Sequence, residues 1–71
     1  MQVNDIIKTQ SGKLFVVKRA EVMGKNQREY LLLNDTSTGK FHIAYMETDS
    51  LKFVNDKNLI AKITKAFNAI N

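Results

Sequence analysis

Glu29-Tyr30-Leu31-Leu32-Leu33-Asn34-Asp35-Thr36-Ser37-Thr38-Gly39-Lys40-Phe41-His42-Ile43-Ala44-Tyr45-Met46 is the stretch around which the chain is organised. Its left half holds the most apolar run in the protein, Tyr30 to Leu33, and its right half alternates from Phe41 to Met46. Two strand-like runs joined by a short polar loop ending in glycine read as an antiparallel β-hairpin. The other segments read as its partners: an earlier hairpin, a short strand and a final helix.

Upstream, residues 3–9 suit a first strand, with Val3, Asp5 and Ile7 on one face and Asn4, Ile6 and Lys8 on the other. Thr9-Gln10-Ser11-Gly12-Lys13 is a turn, and Gly12 stands where a positive φ is needed. Residues 14–21 form a second strand rich in β-branched side chains. Leu14 and Val16 face one way, Phe15 and Val17 the other; such two-sided burial is what a bent strand in a small closed barrel requires. Met23 to Arg28 breaks the pattern and connects to the central hairpin, whose strands span 29–34 and 40–46. A polar link, Glu47 to Ser50, leads to a short last strand at 51–54. Thr9 to Val17 parallels Thr36 to Ala44 in its order of polar turn, Gly, Lys and strand. Turn geometry itself demands the glycine, so convergence accounts for the likeness better than duplication does.

From Asn55 the period changes. Leu59, Ile63, Ala66 and Ile70, flanked by Ile60 and Phe67, fall within an arc of about 120° at 100° per residue. Asn58, Lys62, Lys65 and Asn68 lie opposite. The spacing predicts a helix over 56–70, with Asn55 as its N-cap and Asp56 at the positive end of the dipole. The fold expected is α+β, mainly β: an antiparallel meander or small barrel of four or five strands closed by one C-terminal α-helix. The helix stripe caps its own sheet or pairs with a symmetry mate, which leaves monomer and homodimer open.

Val3-x-Asp5-Ile6-Ile7 followed by Gly12-x-x-Phe15-Val16-Val17 resembles small barrels of the Src-homology-3-like type. That resemblance covers about the first half of the chain and concerns fold only. The order of strands followed by a helix is similar to that of the whirly-type single-strand-binding proteins, whose sheet packs on a terminal helix and which dimerise. No functional residue carries over from either.

With 71 residues the chain holds a single domain, 1–71. At this size only about 60% of the unfolded surface is buried, so the core is small. Cysteine is absent, which excludes disulfides, thiolate metal sites and a cysteine nucleophile. Met1 to Asp5 lacks the basic start and apolar run of a signal peptide, and no apolar stretch approaches the ~20 residues of a membrane helix. A cytoplasmic protein without membrane contact is expected. Eleven Lys+Arg against seven Asp+Glu give a net charge of +4, a bias compatible with nucleic acid, an acidic protein surface or solubility alone. Arginine, the better residue for bidentate base reading, occurs only at Arg19 and Arg28. The abundance of Lys, Asn and Ile points to AT-rich coding, as in a low-GC bacterium or its phages and mobile elements.

No catalytic constellation emerges. His42 is the only histidine; without a second ligand at metal spacing or a paired nucleophile it reads as a half-exposed strand residue. Gly12-Lys13 and Gly39-Lys40 each open a strand, whereas a phosphate loop needs two glycines at fixed spacing before a helix. Glu47 and Asp49 lie close together, but on a connection. An enzyme, a cofactor and a metal are therefore not expected.

The basic residues carry the one functional pattern. Alternate turns of a meander share an end of the sheet, so Lys13 and Lys40 fall at one end, with Lys25 and Arg28 at the other. Lys8, Lys18 and Lys52 lie along strands, near Phe41, Tyr45 and Phe53. Bases stacking on rings while phosphates meet lysines is how single-strand platforms work. The expected function is a small non-enzymatic module binding nucleic acid through Lys8, Lys13, Lys18, Lys40, Lys52 and Tyr45. Against it stands the reading in which the aromatics are core and the lysines ordinary surface. The alternative function is a protein-binding module that engages or inhibits a host protein through an edge strand or the helix.

Overall fold

The structure, a computed structural model, describes residues 1–69. Five antiparallel strands follow one another in a meander: β1 (Ile6–Lys8), β2 (Leu14–Met23), β3 (Arg28–Asp35), β4 (Phe41–Glu47) and β5 (Ser50–Phe53). A single helix, α1 (Lys57–Ala69), ends the described chain. Ile70, the last residue of the predicted helix, lies outside the described residues. The sheet curls into a half-barrel and β1 does not pair with β5.

Alternation along the central strands divides the apolar residues between two cores. Inward lie Phe15, Val17, Leu31, Leu33 and Ala44, all buried, with Ile7, Ala20 and Leu51 packed against them. Ile7 belongs to β1 and Leu51 to β5, so both edge strands reach one core, which is what curling means for a five-stranded sheet. The bend has a local device: the β2–β3 register shifts between Val17 and Arg19, making Lys18 a bulge residue, and a bulge sharpens strand twist. Outward lie Tyr30, Leu32 and Ile43, and here α1 docks, burying Ile63 and Phe67 with Leu59 and Ile60 beside them. The helix therefore packs on the outer face of its own sheet rather than in the barrel mouth.

Three expectations are corrected. The first strand begins at Ile6, not at residue 3, because Gln2 N donates to the Asp5 carboxylate at 2.9 Å and Asn4 takes a φ of 78°. Burial of β2 is one-sided at its start. Phe15 is 4% exposed but Leu14 43%, since α1 lies over β3 and β4 and leaves the outer side of β1 and early β2 uncovered. The helix cap is Asp56 rather than Asn55: its carboxylate accepts from Asn58 N at 2.9 Å and Leu59 N at 3.3 Å, satisfying two of the orphan amides of the first turn.

The two similar turns differ in build. In the first, Thr9 N donates to Lys13 O and Gly12 N to Thr9 O. In the second, Asp35 N donates to Lys40 O and Gly39 N to Asp35 O, so the loop is one residue longer. Gly12 and Gly39 both have positive φ, 87° and 75°. Among the described residues no helix is long and apolar enough to cross a membrane.

Candidate binding seam

The half-barrel leaves a seam between β1 and β5. Each strand of a meander reverses the last, so with five strands β1 and β5 run in the same direction. Hydrogen-bonded and non-bonded pairs alternate along an antiparallel ladder. Val17 N bonds to Asp5 O, and Thr9 N to Lys13 O; the intervening partners are Ile6↔Val16, Ile7↔Phe15 and Lys8↔Leu14. The backbone groups of Ile6 and Lys8 therefore point away from β2, into the seam. On the far side Val54 N bonds to Ile43 O, and Phe53 pairs with Ala44, Lys52 with Tyr45 and Leu51 with Met46. By the same alternation Leu51 and Phe53 turn their backbone groups toward the seam.

A cleft of about 510 Å³ runs along this opening, from Lys8 and the β1–β2 turn across to β5 from Ser50 to Phe53. It continues at the sheet end into a second cleft of about 540 Å³, lined by Thr9, Ser11, Lys13, Phe15, His42, Phe53 and Asn55. Three rings converge there. Phe15, His42 and Phe53 have centroids 5.5 to 5.8 Å apart, two of the three pairs edge-to-face, the arrangement that ring quadrupoles favour. Phe15 is buried, whereas Phe53 is 38% exposed and His42 opens to solvent.

Lys13 lies 3.9 Å from the Asp35 carboxylate. Asp35 is held by the Ser37 hydroxyl at 2.7 Å and by Ser37 N at 2.9 Å. The Ser37 hydroxyl first, then its amide, keep the carboxyl below its ordinary value of 3.8; burial opposes them and Lys13 adds to them. Thr36 completes the clamp, its N and Oγ1 both donating to Leu14 O at 3.1 and 3.0 Å. The β3–β4 turn is thereby fastened to the start of β2, which fixes one wall of the second cleft.

The six residues expected to bind nucleic acid separate into two groups. Lys8, Lys13 and Lys52 come together around the seam and its end. Lys18 sits at the bulge and Lys40 in the β3–β4 turn, neither lining these clefts. Tyr45 faces outward, edge-on to Tyr30 at 5.9 Å, with the Arg28 guanidinium 4.1 Å over its ring. One ring face is thus already stacked on a cation. Sequence reasoning missed the edge pair Leu51 and Phe53 and the ring cluster of Phe15 and His42 with Phe53. An odd strand count, which leaves two parallel edges, is the signal that could have found the edge pair; none marked the ring cluster.

Comparison with protein-family models, with curated proteins and with solved structures finds no match.

Proposed function

We propose that this protein is a non-enzymatic binding module that takes an extended segment of a protein partner at its seam, by strand addition. The observation that carries the reading is the pair of unsealed strand edges, with Ile6 and Lys8 on one side and Leu51 and Phe53 on the other. Backbone donors and acceptors in a row are matched by another backbone. A nucleic-acid strand offers no such ladder. A second reading, single-stranded nucleic acid, is favoured by the cleft that places Lys13 beside Phe15, His42 and Phe53. It is weakened by Asp35, which already engages Lys13, and by Asp49 within the seam.

Selection of linear peptides by phage display, followed by binding to Lys8→Gln and Lys8→Pro, tests the reading. The Lys8 side chain is exposed and its N–H faces the seam, so proline is tolerated by the fold as on other edge strands. Selected peptides should bind wild type and the Gln variant at moderate salt and lose the Pro variant. Absence of any such peptide, together with oligothymidylate binding that falls linearly in log–log with salt, would replace this reading with the second.

A further inference from the structure

Resting on that reading, we infer that the seam accepts one extended strand as the sixth stave of a closed barrel, and that this strand alternates apolar and acidic residues. Direction and register both lead there. β1 and β5 run the same way, so a single strand opposed to both pairs antiparallel on either side. In an extended strand, successive residues turn their backbone groups to opposite sides and their side chains to opposite faces. The seam is built to that parity. The backbone groups that β1 presents belong to Ile6 and Lys8, whose side chains face outward; those of β5 belong to Leu51 and Phe53, whose side chains face inward. An incoming strand therefore bonds to β1 through its outward residues and to β5 through its inward ones, without a register break.

The walls set the partner's chemistry. Inward side chains meet Ile7, Leu51 and Phe53, each apolar and incompletely covered. Outward side chains lie between Lys8 and Lys52, on a protein of net charge +4. Valine-like residues inward and glutamate or aspartate outward answer both.

The test uses the intact chain and a blocked peptide of about seven residues alternating valine and glutamate. Controls are a peptide of the same composition with its valines and glutamates in separate blocks, one alternating valine and lysine, and oligothymidylate. Binding is read by fluorescence anisotropy, and edge pairing by amide hydrogen exchange in NMR. The alternating acidic peptide should bind about tenfold more tightly than its lysine counterpart, from two cross-strand charge pairs. It should slow exchange at Ile6, Lys8, Leu51 and Phe53 together. Lys8→Glu with Lys52→Glu should invert the charge preference, a gain of binding that misfolding cannot mimic. Protection along one edge only would overturn the sixth strand while leaving strand addition standing. No protection with any peptide would overturn both. Equal binding of the block peptide would remove the alternation. Tight oligothymidylate binding without edge protection would give the seam to nucleic acid, and concentration-dependent protection without peptide would give it to a second copy of the chain.

Discussion

Truncating Phe67 asks whether the helix is part of the folded unit or an ornament on it. Phe67 and Ile63 are each 3% exposed, and they sit on a patch made by Leu32, Ile43 and Tyr30 from the sheet. Without the helix those outward residues would meet water while Leu31 and Leu33, their neighbours in β3, stayed buried on the other side. Phe67→Ala removes a ring and leaves a cavity, a change that costs about 3–5 kcal/mol. A domain of this length has a total stability of about 4–10 kcal/mol at ~0.05–0.15 kcal/mol per residue. The variant should therefore lose about a third of that stability at the least, and unfold outright at the low end of the range. Ile63→Val should cost about 0.5–1.5 kcal/mol and remain measurable. Lys62→Ala, on the exposed side of the same turn, should stay within about 0.5 kcal/mol of wild type. Urea denaturation followed by far-ultraviolet circular dichroism and by tyrosine fluorescence reads all three, because Tyr30 lies within the outer core. Both signals should move together, since β3 contributes to both cores. A Phe67→Ala protein within about 1 kcal/mol of wild type would refute the reasoning. So would one that lost its helical signal while the tyrosine transition kept its midpoint.

Three further outcomes follow from local features. Asp35, held below its ordinary pKa of 3.8 chiefly by Ser37, contributes stability that is complete above that value and is lost as pH falls through the lower folded pKa. Asp35→Asn should accordingly flatten the acid limb of a denaturation-midpoint profile taken from about pH 6 to about pH 2; an unchanged slope would contradict the clamp. Gly39 has a φ of 75° and an added Cβ would meet nothing, so Gly39→Ala should cost only the backbone term of about 1–2 kcal/mol in thermal melts. Gly39→Asn should cost visibly less. Asp56→Ala should lose about 1 kcal/mol for the cap and Asp56→Ser most of it back, by urea denaturation.

Local chemistry made most of the fold legible from the sequence. Glycine between polar residues set the turns at Gly12 and Gly39, β-branched and apolar runs set β2 and β3, two-residue alternation set β4, and the shift to a 3.6-residue period set α1. These signals are short-range, so they survive without knowledge of what packs where. They fail at element ends, where one hydrogen bond decides: the Asp5 carboxylate holds back the start of β1, and Asp56, one residue beyond the expected Asn55, caps the helix. The lysine pattern was legible as composition but not as a surface. A flat meander would hold Lys8 and Lys52 at opposite edges of the sheet, whereas the structure sets both on one cleft.

By itself the sequence determined the type of the elements, a meander of four or five antiparallel strands before one helix, and the two apolar faces of the central strands, because periodicity and turn stereochemistry are properties of neighbouring residues. Only the tertiary structure decided how far the sheet curls, which face the helix covers and that the barrel stays open. Those depend on how the bulge at Lys18 bends β2, on which apolar face α1 buries, and on whether the bend brings β1 within pairing distance of β5.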